Sequence, residues 1–246
     1  MERLEKDENW SLFDPKEVPH LVDLFGAEFA NAYVVAESAG IAKKTLPAKD
    51  LYARMMKTLA QTGNGWMTFK DATNEKCNQT GAGPVVHSSN LCTEITEVSS
   101  SSETAVCNLG SIVLPRFLIK DIAGLTLDWT RMARAVRLAI RQLDRVIDVN
   151  LYQIESAKKS NDLWRPIGLG LMGLQDVFFA MGLAFDSPEA KALSTRISEE
   201  ICFHAYSAAV ELAREAAVAA GDILGSGAHA NFGMTRAAGG ELCFDS

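Results

Sequence analysis

Ser88-Ser89-Asn90-Leu91-Cys92-Thr93-Glu94-Ile95 and, after a polar gap, Ala105-Val106-Cys107-Asn108-Leu109-Gly110-Ser111 fall within residues 64–117, a region rich in Gly, Asn, Ser and Thr. Its apolar runs (66–69, 90–95 and 105–109) are too short for long helices and read as strands and irregular loops. Residues 97–104, mostly Ser and Glu, read as an exposed turn. The flanking sequence is helical. After Pro19, the residues Leu21, Leu24, Phe25, Ala32 and Val35 recur at helical spacing, with Gly40 as a stop. A second helix fits 48–61, with Leu51, Met55 and Leu59 on one face and Gly63 behind it. A third covers 127–149, where Trp129, Met132, Ala133, Val136, Ile140, Leu143 and Ile147 form one apolar stripe. Its arginines (Arg131, Arg134, Arg137, Arg141, Arg145) read as a solvated face, the alternative being a comb for phosphates. A last long helix starts at Ser187-Pro188, a good N-cap and N1 pair, and ends near Gly221. Helices, short buried strands, helix, strand and helix in that order predict an α/β fold.

If 90–94 is extended, alternate side chains share a face, so Asn90, Cys92 and Glu94 point together, roughly 6 to 7 Å between neighbours. An amide, a thiol and a carboxylate in a row suit a nucleophilic or radical sulfur with an acid/base beside it. The alternative is an edge strand with a wet face and an inert cysteine. Cys107 repeats the pattern of a thiol beside an asparagine, although a single cysteine of this kind is usually a small core residue.

Gly168-Leu169-Gly170-Leu171-Met172-Gly173 matches the dinucleotide fingerprint letter for letter. That fingerprint needs an apolar strand in front of it, and here the polar Ser160-Asn161-Asp162-Leu163-Trp164-Arg165-Pro166 precedes Ile167. The stretch therefore reads as a strand-to-helix junction in which glycines permit close packing. His20, His87, His204 and His229 stand at no metal-ligand spacing. The cysteines Cys77, Cys92, Cys107, Cys202 and Cys243 form no CxxC pair.

The chain has 246 residues, 48% hydrophobic and 22% charged, with a net charge of −7, so it can bury a real core without disulfides. The acidic balance argues against a broad nucleic-acid surface. The polar N-terminus has no apolar signal segment, and no apolar run approaches the roughly 18 to 20 residues that span a bilayer. These features point to the cytosol and to no membrane partner.

Taken together, the segments resemble the large, catalytic subunit of aerobic ribonucleotide reductase. The likeness begins at Trp10-Ser11-Leu12-Phe13-Asp14-Pro15-Lys16-Glu17-Val18-Pro19. It runs through Phe69-Lys70-Asp71 and Asn74, the two cysteine segments, Arg165-Pro166-Ile167-Gly168-Leu169-Gly170 and Gly173-Leu174-Gln175-Asp176. It ends with His229, Phe232, Thr235-Arg236-Ala237-Ala238 and Gly240-Glu241-Leu242. The resemblance implies that residues 1–246 form part of a ten-stranded α/β barrel with a finger loop at about 86–96. It implies Cys92 as the thiyl radical that takes hydrogen from C3′ of the ribose. Glu94 is then the base toward the 3′-hydroxyl, Asn90 a hydrogen-bonding partner of the sugar hydroxyls, and Ser89 a further substrate contact. Cys107 is one of two thiols that supply reducing equivalents and end as a disulfide, since a two-electron reduction needs a dithiol.

The implied reaction is the reduction of ribonucleoside diphosphates to deoxyribonucleotides for DNA replication. The implied partners are a ribonucleotide, a small subunit whose metal centre supplies the radical, the remaining large-subunit segments, and thioredoxin or glutaredoxin as reductant. No metal or cofactor is expected on this chain itself. By this likeness Met1 falls inside the family's sequence, and Ser246 precedes its substrate-phosphate loop, tyrosine pair and tail dithiol. The chain is thus expected to be a piece, inactive alone, with apolar faces left uncovered. The alternatives are the adenosylcobalamin-dependent relative and a non-catalytic remnant that binds a companion polypeptide. If the glycine motif is a structural junction, NADH titration followed by fluorescence gives no saturable binding. Micromolar affinity that disappears in Gly170→Ala would reverse this reading.

Overall fold

A computed structural model describes residues 1–122, 124–221 and 227–242; Cys243 lies outside them. The chain divides into two compact units, Met1–Ser101 with Gly233–Ser246, and Ser102–Phe232.

The first unit holds α1 (Glu2–Glu5), β1 (Asn9–Leu12), α2 (Gly26–Ser38), β2 (Lys44–Pro47), α3 (Ala48–Thr62) and α4 (Lys70–Lys76). β1 and β2 pair antiparallel, from Asn9↔Pro47 to Leu12↔Lys44. Buried Tyr33 ties α2 to β1: its hydroxyl donates to the Ser11 carbonyl (2.8 Å) and accepts from the Ser11 N–H (2.7 Å). Its ring lies 4.8 Å from Trp10, 5.3 Å from Phe13 and 5.8 Å from Phe29. Burial also pushes its phenol pKa up. Arg3 sits over the Tyr33 ring and forks onto Glu37 at 2.6 and 2.7 Å.

The helix expected after Pro19 starts late. Pro19–Asp23 is a 3-10 turn, Leu24 and Phe25 are extended, and α2 begins at Gly26, which has φ +58°. α3 agrees with the expected span within a residue, and Gly63 closes it in the left-handed conformation (φ +67°), its N–H bonding the Leu59 carbonyl. Its expected apolar face is present but uncovered within the unit, with Met55 47% exposed.

The second unit holds β3 (Leu109–Val113), β4 (Leu118–Asp121), β5 (Gly124–Leu127), α5 (Trp129–Val149), α6 (Glu155–Trp164), β6 (Gly168–Met172), α7 (Leu174–Met181) and α8 (Pro188–Ala219). Asp128 and Ser187 cap α5 and α8 by accepting the Arg131 and Ala190 N–H groups. The expected stripe is the buried face of α5 (Met132, Val136, Ile140, Leu143, Ile147). Its Met132 and Val136 cluster with Ile197 and Ile201 of α8 and with Ile112, Leu114, Phe117, Leu127 and Val177.

Of the α5 arginines, Arg134 and Arg145 are exposed, Arg131 donates to the Arg116 carbonyl (3.2 Å), and Arg137 and Arg141 pair with α8. Arg137 binds Glu211 at 2.5 Å, Arg141 forks onto Glu215 at 2.6 and 2.7 Å, and Arg196 lies 4.0 Å above Trp129. Partners ascend together along both helices, so α5 and α8 run in the same direction. These pairs are largely solvated, and each contributes about 1 kcal/mol or less.

β3 and β6 pair parallel, from Leu109↔Gly168 to Val113↔Met172, joined by a crossover through the β4–β5 hairpin, α5 and α6. The glycine motif is therefore mostly strand. A Cβ on Gly168 would stand 2.6 Å from Leu109 Cδ2, and one on Gly173 would stand 2.5 Å from Pro115 Cδ. Gly173, at φ +80°, turns β6 into α7. Gly168 and Gly170 lie inside β6 and only Gly173 stands at the turn into a helix, whereas dinucleotide binding requires all the glycines to follow a completed strand.

The mixed α/β class is present, and the described residues contain no closed sheet. Of the expected strands, 66–69 and 90–95 are irregular, and the Ala105–Ser111 run enters a strand only at Leu109. Of residues 97–104, Ser100, Ser101, Ser102 and Thr104 are exposed, while Glu97, Ser99 and Glu103 are half-buried and Val98 is buried, so the expected exposed turn is present only in part. Leu109, Val113, Leu171 and Met172 of the parallel pair are all more than a third exposed. Among the described residues no helix is long and apolar enough to cross a membrane.

Gly173→Ala and Gly182→Ala separate conformational strain from steric demand. Gly182 also has a positive φ (+69°) but open space around it. Its alanine variant loses about 1–2 kcal/mol in urea unfolding. Gly173→Ala adds collision with the Pro115 ring and loses about 2–5 kcal/mol. Equal losses would show that the approach to Pro115 imposes no constraint.

Candidate active site

Residues 86–98 leave α4 and return to the turn that follows it, all within the first unit. The outbound leg is fixed at Val86. Asn74 of α4 is fully buried; its Nδ2 donates to the Val86 carbonyl (2.9 Å) and its Oδ1 accepts the Val86 N–H (2.8 Å). The return leg is fixed twice. Cys77 Sγ donates to the Thr96 carbonyl (3.0 Å), and Gln79 Oε1 accepts the Val98 N–H (2.8 Å). Val86 and Val98 are buried at this base. His87 spans the loop's flank between Asp23 (2.8 Å) and the Ser99 carbonyl (3.1 Å).

The tip is a turn and not the expected strand. The Thr93 N–H bonds the Asn90 carbonyl (3.2 Å), and Thr93 has φ +73°. The left-handed region is costly for a β-branched residue and persists only where neighbours enforce it. Here Asn90 Oδ1 accepts the Ile95 N–H (3.1 Å), and Ser89 Oγ donates to the Ile95 carbonyl (2.7 Å). The alternation that would place Asn90, Cys92 and Glu94 on one face is therefore broken at Thr93. In its place the turn gathers Ser89, Asn90, Cys92 and Glu94 within one short bend, with Cys92 and Glu94 exposed and Leu91 80% exposed.

Cys107 belongs to the second unit. It is exposed and stands two residues before β3. Its backbone is fixed by Asn108, which is buried and whose Nδ2 donates to the Pro166 carbonyl (2.9 Å) and to Asn161 Oδ1 (3.2 Å). Asn161 in turn donates to the Tyr152 hydroxyl, which donates to the Ile147 carbonyl, both at 2.7 Å. Upstream, Thr104 is held to Ser156 and Glu103 to the Trp164 indole (3.0 Å). At the far end of α6, Arg165 sits at φ +46° and chelates Asp144 (2.8 Å) and Asp148 (2.7 Å). The hydrogen bond to Asp148 raises the guanidinium pKa further and draws the Asp148 carboxyl down.

Residues 1–246 match a family model described as ribonucleotide reductase, barrel domain. The chain belongs to this family. The ribonucleoside-diphosphate reductase large subunit of Arabidopsis thaliana is 43% identical over 229 residues, covering 87% of this chain and 28% of its own length. That of Caenorhabditis elegans is 43% identical over 213 residues, covering 87% and 26%. That of Trypanosoma brucei brucei is 40% identical over 245 residues, covering 100% and 27%. The chain thus spans little more than a quarter of these relatives.

Within this ribonucleotide reductase segment, Cys77 and Cys202 are half-buried, unlike Cys92 and Cys107. Burial pushes the Cys77 thiol pKa up, which keeps it protonated as the donor to Thr96. Among the described residues no group of three His, Cys, Asp or Glu side chains is placed to hold a metal ion. Sequence reasoning missed the residues that carry the loop: Asn74, Cys77 and Gln79. The signal for Asn74 was its place among the family-like segments, since within the polar run of α4 nothing in the sequence sets it apart from its neighbours.

Asn74→Ala strips Val86 of both partners in a buried place and should cost about 2–4 kcal/mol in urea unfolding. Asn90→Ala, at the half-exposed tip, should cost about 1 kcal/mol. Equal costs would mean that the loop is not held at its base.

Proposed function

We propose that this chain forms part of the ten-stranded barrel of a ribonucleoside-diphosphate reductase large subunit, with residues 86–96 as its finger loop and Cys92 as its radical cysteine. The observation that carries the reading is an exposed thiol at the tip of a loop whose two legs are pinned to one short helix and turn. A hydrogen-abstracting sulfur must reach a substrate atom and be held to a fraction of an ångström, and a pinned base with an open tip provides both.

In this reading the Cys92 thiyl takes hydrogen from C3′ of the ribose and later returns it from its S–H. Glu94 accepts the 3′-hydroxyl proton. Asn90 uses its oxygen within the turn, which leaves its NH₂ group to donate to a sugar hydroxyl, and Ser89 lies beside it. Cys107 and a second thiol from the rest of the enzyme give up two electrons and two protons. The 2′-hydroxyl leaves as water and the thiols become a disulfide. Thioredoxin or glutaredoxin would then restore the dithiol.

The radical would come from a separate small subunit. The relatives are named as large subunits of a diphosphate reductase, which favours that arrangement over adenosylcobalamin chemistry. The radical-generating metal would reside on that partner, so this chain contributes binding, proton transfer and reducing thiols. The uncovered faces of β3, β6 and α3 fit packing against the remaining large-subunit segments.

In the assembled enzyme, Cys92→Ser abolishes turnover. Cys107→Ser lets chemistry begin and then fail, with base release or radical loss in place of clean product. Glu94→Gln fails at or after hydrogen abstraction. Radical spectroscopy and base-release assays on each variant provide the test. Normal deoxynucleotide production by Cys92→Ser, together with its loss in Cys77→Ser or Cys202→Ser, would move the radical site elsewhere.

A further inference from the structure

Both legs of the 86–98 loop hang on residues 74–79, the end of a short helix and a 3-10 turn. We propose that Arg236 is a positioning residue for the loop, acting through this 74–79 segment; the proposal rests on the reading of Cys92 as the radical cysteine.

Arg236 reaches the segment from the distant end of the sequence, inside the same unit. Its guanidinium donates to the Asn74 carbonyl through NH2 (3.1 Å) and to the Cys77 carbonyl through Nε (3.2 Å). Asn74 and Cys77 are the residues whose side chains hold Val86 and Thr96. The Arg236 N–H bonds the Asn78 carbonyl (2.9 Å), and the Ala237 N–H bonds Asn78 Oδ1 (3.0 Å). Glu241 pairs with the remaining guanidinium nitrogen at 3.0 Å. One planar fork thus bridges two carbonyls of α4 and its following turn, both also within reach of the Thr80 hydroxyl, and no lysine can span them with the same geometry.

A second observation comes from Gly81. A Cβ there would stand 2.7 Å from the Arg236 backbone nitrogen and 2.8 Å from the Met234 carbonyl oxygen. The backbone of 234–236 is therefore pressed against the segment that leads into the loop, and a side chain at 81 would lift it away. Gly81 itself has an ordinary helical φ of −61°, so alanine there tests contact and not backbone strain.

The test reads amide exchange in the 246-residue chain and turnover in the assembled enzyme. Arg236→Gln should speed exchange of the Val86 and Val98 amides about tenfold or more, while the Ser11 amide, bonded to Tyr33 in the same unit, stays within about twofold. kcat should fall about tenfold or more with KM little changed, because the loop is displaced and the substrate pocket is not. Arg236→Lys should recover only part of either loss. Gly81→Ala should reproduce the exchange signature with the arginine intact. Arg3→Gln, which removes another paired arginine of the unit, should leave Val86 and Val98 unchanged. The proposal is overturned if Val86 and Val98 exchange at the wild-type rate in both Arg236→Gln and Gly81→Ala, or if Ser11 accelerates equally. It is also overturned if the loop loosens and kcat holds while Cys92→Ser is dead. If the loop loosens and Cys92→Ser remains active, the tie stands and the assignment of Cys92 is what fails.

Discussion

Asn74 has no exposed surface, and its amide meets the N–H and C=O of Val86 as a neighbouring strand would. A buried amide without partners is costly, and so is a buried backbone pair without them. Each therefore enforces the other, and the loop cannot leave this base without stranding four polar atoms. Everything beyond Val86 inherits its starting point from that exchange. Cys77 and Gln79 fix the return leg only because they follow Asn74 in the same turn. Thr93 can be kept at a positive φ only because its flanks cannot drift.

The two thiols share a construction although they lie in different units. In each case the cysteine is exposed and a nearby asparagine is engaged. Asn90 closes the bend around Cys92, and Asn108 anchors the strand behind Cys107 through Asn161 and Tyr152. In both places the backbone beside the cysteine is held by an amide side chain. Half-buried Cys77 shows the opposite arrangement: its sulfur is a hydrogen-bond donor in the scaffold, and its raised pKa suits that task.

Residue spacing revealed the long helices because their determinants are local. The α5 stripe repeats every three or four residues, and the Ser187 cap bonds an N–H three residues away. The glycine-rich run was also legible as a junction, since its polar approach excluded a strand in front. The bend at 90–94 was misread as extended because period-two reasoning ignores a side chain that captures a backbone N–H five residues on. The start of α2 was placed too early because Leu21, Leu24 and Phe25 carry helical spacing without helical backbone. Other determinants leave no pattern. Arg137 finds Glu211, and Arg236 finds Asn74, across separations that no local period encodes. The specific roles proposed for Cys92, Glu94 and Cys107 rest on the resemblance of the ordered family segments, since residue types alone suggest no more than a reactive sulfur beside an acid/base.

The parallel pairing of β3 with β6 also bears on how the chain is made. About sixty residues separate Leu109 from its partner Gly168, a high contact order for a single strand pair. At roughly 5–20 residues per second of synthesis, β3 leaves the ribosome several seconds before β6 exists. During that interval α5 is the element able to cover it: Leu143 of α5 packs 3.5 Å from where a Cβ of Gly110 would lie. The order of translation thus lets β3 meet a side chain of this helix before its own strand partner has been made.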